Sequence, residues 1–348
     1  MHEAHEYPQR TASDLLFIEK SVTPLRPPGN MGAGWHNHSE DPIPFSLFVR
    51  YRINVTTKSS TNCSASNHPR YLGCHISAAG GLLKALERAE AVGINTMQIH
   101  PSPPQRWNTK PFETGIEAEY LAAKKHSCLE KVFFHGIYLI NLASPDDQKR
   151  RLAELSLAHD LQLADRIAGE GVIFHVGSLK DEPSAEVGYQ RAADTILAAL
   201  DRAGGNAPLI LEVSAGSGKI VGSRFSELVH IYELTGRNPR VRFALDTQHM
   251  WASGYDLAHH LGDLIDEIGS SVGVDAIAAI HLNDSRSALG SHVDRHEDLG
   301  KGTIGWDTLS AVVNHPQLRQ IPFILETPSL KSDEGVAEQV GQLRIMAV

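Results

Sequence analysis

The sequence contains few cysteines, no long hydrophobic run and no excess of positive charge. Its three cysteines among 348 residues have neither the number nor the spacing of a disulfide framework, so we expect a reducing compartment, the cytoplasm. No apolar stretch is long enough to span a bilayer, and the N-terminal residues lack the basic start and apolar core of a signal peptide. A formal net charge of −9 argues against a simple basic nucleic-acid binder.

Apolar and helical segments alternate regularly from about residue 70 onward. Near-continuous apolar runs are typical of buried parallel strands, and the stretches between them have helical periodicity. The eight apolar runs are RYLGCHIS (70–77), INTMQIHP (94–101), KVFFHGIY (131–138), GVIFHVGS (171–178), PLILEVSAG (208–216), VRFALDTQH (241–249), AIAAIHLND (276–284) and IPFILETP (321–328). Eight β–α units predict a (β/α)₈ TIM barrel over residues 70–348. An open doubly wound sheet is the alternative, but eight regular units favour closure.

Residues 1–69 do not follow this alternation. They are rich in Pro, Ser, Asn and His and contain one strand-like piece, FSLFVRYRINV (45–55). We expect an N-terminal extension that is either poorly ordered or packed on the barrel, where it would cover the N-terminal face.

Histidine is abundant, with 19 residues, and six of the eight predicted strands end in a residue type that binds metal ions. The carboxyl ends of barrel strands converge on one mouth, where active sites lie. Four carboxylates there would repel each other unless cations neutralised them. Asp294 and His296, in the loop after the seventh strand, are two residues apart and so face the same side of extended backbone. The candidate metal ligands are His135, His175, Glu212, Asp246, His249, His281, Asp294, His296 and Glu326.

This set of five histidines and four carboxylates, without cysteine, suits Zn²⁺, and Mn²⁺ could fill part of it. Nine ligands are too many for one tetrahedral ion, whereas one bridging carboxylate would give enough bonds for three ions. Three divalent ions would also reduce the net charge from −9 to about −3. A cluster of divalent ions is suited to phosphoryl transfer. Because no Walker-type glycine loop is present, a kinase is disfavoured.

Several motifs extend this interpretation, and together they cover about residues 71–348. They are GCHISAAGGL, HGIYLINL, FHVGS, LEVSAGSG, LDTQH, HLNDSRSALGSHVDRHEDLGKGTIG and LETP. With them the chain resembles endonuclease IV, the family of trizinc apurinic/apyrimidinic (AP) endonucleases of base-excision repair. The resemblance implies a zinc-dependent hydrolase that cuts double-stranded DNA 5′ to abasic sites and trims blocked 3′ ends. It also implies a monomer that works with the DNA, in the cytoplasm or in a eukaryotic nucleus, without a membrane partner.

The resemblance implies roles for individual residues as well. One zinc ion would be held by His135, His175 and Glu212, the second by Glu212, Asp246, His281 and Glu326, and the third by His249, Asp294 and His296. Glu212 would therefore bridge two ions, and we expect Glu212 and Glu326 to be catalytic. Tyr138 matches a tyrosine of the damaged-nucleotide pocket. His75 lies in a family motif without being a ligand, which favours a structural hydrogen-bonding role.

The loop after the second strand departs from the family pattern. The family usually has a sequence like F-T-x-N-x-R-x-W there, whose side chains enter the DNA minor groove. This chain reads HPSPPQRW (100–107), with Pro103 in place of Asn and Gln105 where Arg is common. Arg106 is displaced by one position from the arginine of the family pattern. Gln105 and Arg106 are the candidate substrate-binding residues of this loop, and the strength of DNA binding and the lesion preference depend on them.

Two other functions fit parts of the sequence. A sugar isomerase or epimerase on a similar barrel holds one or two metals with a Glu–Asp–His–Glu set, which Glu212, Asp246, His281 and Glu326 could supply. Such an enzyme has no use for the other five candidates, and a metal count would separate the two classes. A non-catalytic DNA-lesion binder is supported by the altered loop alone, and turnover of an abasic duplex would exclude it.

Overall fold

Eight parallel strands form a closed barrel in the computed structural model, which describes residues 70–103, 105–107, 115–180 and 182–348. The eight barrel strands are β1 (Leu72–His75), β2 (Thr96–Ile99), β3 (Lys131–His135), β4 (Gly171–Phe174), β5 (Leu209–Glu212), β6 (Val241–Asp246), β7 (Ile277–His281) and β10 (Phe323–Leu325), and two further short strands are β8 (Asp284–Ser285) and β9 (His296–Glu297). Each barrel strand pairs with its sequence neighbour, and β10 pairs with β7 and β1 to close the ring, whereas β8 and β9 pair antiparallel outside it. The predicted (β/α)₈ barrel is confirmed; the predicted extension, residues 1–69, lies outside the described residues.

Helices cover the outside of the barrel. They are α1 (Leu82–Val92), α2 (Ile116–Lys124), α3 (Asp147–Arg166), α4 (Ala185–Ala203), α5 (Phe225–Leu234), α6 (Thr247–Ser253), α7 (Leu261–Ser271), α8 (Trp306–Asn314) and α9 (Asp333–Met346), with 3₁₀ turns at Val274–Ala276 and Pro328–Lys331. In the part of the chain that the structure describes, no helix is both long and apolar enough to cross a membrane.

Side chains of the barrel strands alternate between an inner and an outer apolar cluster, because successive residues of a strand face opposite sides. In β3, Phe133 belongs to the inner cluster, whereas its neighbours Val132 and Phe134 pack among the residues that meet the helices. The inner cluster consists of Phe133, Ile173, Ile210, Ala244, Ala278, Ala279 and Ile324. Burial on both faces explains why these strands are apolar almost throughout, and the polar residues that follow them are confined to the mouth.

The loop between β7 and β10 carries the small β8–β9 ladder and is held by Asp284. This buried carboxylate accepts hydrogen bonds from the backbone N–H groups of Gly302 (3.0 Å), Ile304 (3.0 Å) and Gly305 (3.3 Å). A Cβ atom at Gly302 would lie 2.3 Å from the carbonyl oxygen of Ser285. The glycine-rich stretch that follows the predicted ligands therefore folds tightly around one carboxylate, and it fixes the position of β9.

Candidate metal centre

Glu212 lies at the end of β5, fully buried, with four histidines around its carboxylate. Oε2 is 3.0 Å from His135 Nε2 and 3.4 Å from His175 Nε2. Oε1 is 2.8 Å from His281 Nδ1 and 3.4 Å from His249 Nδ1. The two oxygens thus face different pairs of histidines, and the carboxylate lies between two groups of candidate ligands.

The first group consists of His135, His175 and Glu212, and the second of Glu212, Asp246, His281 and Glu326. Within each group, one donor atom per residue lies within 4.8 Å of all the others. In the second group, His281 Nδ1 is 3.3 Å from Glu326 Oε2 and 3.8 Å from Asp246 Oδ2. The structure thus brings together the residues that the sequence predicts for the first two ions, with Glu212 in both sets.

The third group contains His249, His296 and Asp246, whose donor atoms meet the same limit. The Nε2 atoms of the two histidines are 3.4 Å apart, and Asp294 lies 3.5 Å from each of them. The resemblance to endonuclease IV implies Asp294 as the carboxylate of this site, and in the structure Asp246 is also close to it, with Oδ2 3.8 Å from His296 Nε2. Asp294 is the most exposed of these residues, at 60% of its side chain, because the β8–β9 loop carries it over the mouth.

Backbone carbonyls orient three of the histidines, among them His296, whose Nδ1 lies 3.3 Å from the carbonyl oxygen of Glu326. His135 Nδ1 lies 2.8 Å from the carbonyl oxygen of Gly136, and His249 Nδ1 lies 3.0 Å from that of Val213. Since a carbonyl only accepts, each Nδ1 carries a proton, and Nε2 is the nitrogen that faces the carboxylates. This arrangement, in which the outer nitrogen is held by a hydrogen bond and the inner nitrogen is left to bind a cation, is how metal-ligating histidines are held in proteins.

Short-range structure at the end of β6 brings His249 into the site. The Asp246 side chain caps α6 by accepting the backbone N–H of His249 at 2.8 Å, and it also accepts the amide of Asn283 at 2.8 Å. The apolar run 241–249 is therefore a strand only as far as Asp246, and a helix begins at Thr247. Asp is a favoured N-cap residue, so the sequence does carry the signal for this turn.

The charges of the centre balance by mutual attraction. Burial would raise the pKa of Glu212, but attraction to His175 and His281 and a hydrogen bond from His135 hold it well below its usual range. Burial would lower the pKa of His281, but the carboxylates of Glu326 and Glu212 raise it to about 9. Burial likewise opposes ionisation of Glu326, yet His281 and His135 lower its pKa to about 2. Without a bound cation, protonated histidines thus supply the positive charge that the carboxylates require.

Two cavities adjoin the centre and share Tyr138. One of about 680 Å³ is lined by Glu326, His296, His75 and His100, and another of about 330 Å³ is lined by residues of the first and third groups. The Tyr138 side chain is 67% exposed, so it stands at the mouth between the two. The predicted pocket tyrosine therefore lies beside the candidate metal ligands.

The altered loop after β2 contributes its first residues to the larger cavity. Ser102 and Pro103 line this cavity, whereas the two predicted DNA-contact residues, Gln105 and Arg106, do not. Both of these side chains are exposed. Their role in holding DNA stays a prediction.

Two residues of the centre, Gln98 and Asn283, carry no distinguishing signal in the sequence. Gln98 hydrogen-bonds Glu326 and His281, and Asn283 bonds Asp246 through its amide nitrogen and the backbone N–H of Glu326 through its oxygen. His75 lies 3.1 Å from the Gln98 amide, which agrees with the structural role expected of it. An amide within an apolar strand looks the same in sequence whether it faces a ligand or a neighbouring backbone, so these contacts emerge only when the barrel is closed.

The fold and the site first define a broad class of protein, that of metal-binding TIM barrels. Residues 85–345 match the family of xylose isomerase-like TIM barrels. Within that class, the chain is 34% identical over 281 residues to the probable endonuclease 4 of Chloroflexus aurantiacus, covering 80% of this chain and 97% of that protein. It is 35% identical over 283 residues to the probable endonuclease 4 of Chloroflexus aggregans, covering 80% and 96%. The chain belongs to the endonuclease IV family, as its motifs predict.

Solved structures agree with this assignment. Endonuclease IV from Thermus thermophilus superposes with a TM-score of 0.72 at 33% identity, covering 80% of this chain and 98% of that one. A 3-keto-D-glucoside 4-epimerase from E. coli reaches a TM-score of 0.56 at 14% identity, which shows a shared fold alone. The predicted family and endonuclease class are confirmed, and the sugar-epimerase alternative is not favoured.

Proposed function

We propose that this protein is a zinc-dependent AP endonuclease that cleaves duplex DNA on the 5′ side of abasic sites and trims blocked 3′ ends. The observation that carries the proposal is the placing of Glu212 between two groups of ligand atoms at the barrel mouth. A sugar isomerase or epimerase would use the second group as its metal site, and His135, His175 and the loop residue Asp294 would then have no function in catalysis. The membership in the endonuclease IV family supports the same choice.

The donor set fits divalent cations of borderline softness. Histidine nitrogens and carboxylate oxygens without thiolates suit zinc, and ligand atoms within 4.8 Å of one another can share one ion. The proposed sets are His135, His175 and Glu212 for one ion, Glu212, Asp246, His281 and Glu326 for a second, and His249, Asp294 and His296 for a third. Divalent ions held by these residues would lower the pKa of water and would neutralise charge on the leaving oxygen of a phosphodiester.

Individual residues of the chain position the ligand groups and contact the substrate. Glu212 is buried, so its role is to fix the two groups relative to each other. Glu326 lines the larger cavity and can accept a hydrogen bond from water that approaches a phosphate there. Tyr138 is exposed beside both cavities and offers an aromatic face and a hydroxyl to a displaced nucleotide. We infer that the protein acts as a monomer and works where DNA is, in the cytoplasm.

One experiment tests the proposal directly. The purified protein is analysed for metal content and incubated with a duplex that contains a single abasic site and with a matched intact duplex. About three zinc ions per chain and cleavage 5′ to the lesion are expected, with loss of cleavage after prolonged chelation and recovery on adding Zn²⁺. One ion per chain with full activity would refute the three-ion centre. Binding of the abasic duplex without turnover would instead indicate a lesion-binding protein.

A further inference from the structure

Two barrel strands, β1 and β2, contribute no residue to the proposed ligand set. At the mouth they present His75 and Gln98, which lie opposite each other in the β1–β2 ladder. Gln98 is fully buried, although a buried amide is costly unless its polar atoms have partners. The amide of Gln98 therefore needs hydrogen-bond partners among the proposed ligands that surround it.

All the polar atoms of the Gln98 side chain have partners. Oε1 lies 2.8 Å from His281 Nε2, while Nε2 lies 2.6 Å from Glu326 Oε1 and 3.1 Å from His75 Nδ1. These contacts span 183 residues to His281 and 228 residues to Glu326. Gln98 thus joins β2 to two proposed ligands that the chain supplies much later.

The chemistry of the partners fixes the direction of the amide. The Glu326 carboxylate only accepts hydrogen bonds, so the NH₂ group of Gln98 must face it and the carbonyl oxygen must face His281. His281 Nε2 must then carry a proton to donate. The opposite ring nitrogen, Nδ1, faces Glu212 Oε1 at 2.8 Å and Glu326 Oε2 at 3.3 Å. One amide therefore directs both Nδ1 of His281 and Oε2 of Glu326 toward the other residues of the second group.

We propose that Gln98 is a positioning residue that holds His281 and Glu326 for one cation, the ion shared by Glu212, Asp246, His281 and Glu326. The inference rests on the proposed metal-dependent function. Residues that hold the outer nitrogen of a metal-ligating histidine are worth about 10–100-fold in metal affinity. Because Gln98 touches two ligands of one ion and none of the other two sets, its effect should be confined to that ion.

The test compares Gln98→Met with wild type and with Gln339→Met. Methionine has a similar length and no amide, so it removes all three hydrogen bonds and keeps the volume. Gln339, in α9, is also a fully buried amide, but its partners are the backbone of Leu299 and the side chain of Gln342. Ion release to a chromophoric chelator is followed in each zinc-loaded protein, together with thermal unfolding.

For Gln98→Met we expect one of the three ions to be released at about 10–100-fold lower chelator concentration, with the other two unchanged. Gln339→Met should be less stable but should release all its ions as wild type does. Equal weakening of all three ions, or three ions held as in wild type, would overturn the proposal. If Gln98→Met does not fold, Gln98→Asn replaces it, since its amide is too short to reach both partners and should show the same selective loss. If the wild-type protein itself binds no zinc, the proposed function is refuted instead.

Discussion

Replacing Glu212 with glutamine perturbs the centre at the residue that joins two of its groups. The change preserves size and removes one negative charge from a fully buried position. It also replaces one acceptor oxygen with an NH₂ group, which must then face either His135 at 3.0 Å or His281 at 2.8 Å. The amide would compete for the histidine lone pairs that the proposed ions require.

The magnitude follows from the number of ions affected. Contacts outside the ligand shell already cost about 10–100-fold in affinity or activity when lost. Glu212 contacts ligand atoms of two groups, so the loss in strand cleavage should be at least about a hundredfold, or about 2.7 kcal/mol of transition-state stabilisation. Binding to abasic DNA should largely survive, because phosphate contacts elsewhere on the mouth remain.

The assay measures single-turnover cleavage and equilibrium binding with one abasic duplex. Asp160→Asn is the matched control, since Asp160 is also a fully buried carboxylate but lies in α3, with His159 as a partner. The control should cleave at a rate near that of wild type even if its stability changes. Near wild-type cleavage by Glu212→Gln would refute the bridging role. If the variant lost both DNA binding and cleavage, the substitution would have disrupted the structure of the barrel mouth rather than removed one ligand.

Three further predictions concern protons, DNA and the loop. Burial lowers the pKa of His281, but Glu326 and Glu212 raise it from 6.5 to about 9. The stabilisation that charged His281 contributes to the metal-free protein should therefore be complete below pH 6.5 and should be lost as the pH rises to 9. Melting temperatures should fall over this range in metal-free protein and not in zinc-loaded protein, and a flat metal-free profile would contradict the prediction. Arg106→Ala should weaken binding to an abasic duplex more than trimming of blocked 3′ ends, and an equal loss that vanishes at high salt would instead indicate a phosphate contact. Gly302→Ala should cost about 1–3 kcal/mol in denaturant unfolding because its Cβ would meet the Ser285 carbonyl at 2.3 Å, and it should release the third ion; a variant that keeps wild-type stability and three ions would disprove this.

The barrel and most of the centre can be predicted from sequence for one physical reason. A strand buried on both faces must be apolar until it reaches the mouth, so a His, Asp or Glu at its end stands out. His135, Glu212 and His281 are of this kind, and in each strand the three residues before them are apolar. The topology of a closed barrel then brings them together whatever their separation along the chain.

Contacts that depend on side-chain direction could not be predicted in this way. Gln98 reaches His281 and Glu326 across the mouth, and nothing in TMQI distinguishes it from an amide that faces a helix. The closeness of Asp246 to His296 depends likewise on how the β8–β9 loop returns over the barrel. The tyrosine at the mouth is predicted through family motifs alone, since an exposed aromatic residue in a loop has no periodicity to mark it.

The long span between Gln98 and Glu326 has a consequence for how the protein is made. Glu326 follows Gln98 by 228 residues, which at 5–20 residues per second take about 10–45 s to synthesise. During that time the second group of candidate ligands lacks Glu326, and the first strand has no closing strand beside it. Contacts of such long range are slow to form, so the second group is complete only when β10 closes the barrel. An ion that needed all four residues of this group would bind after closure and would displace protons from the histidines.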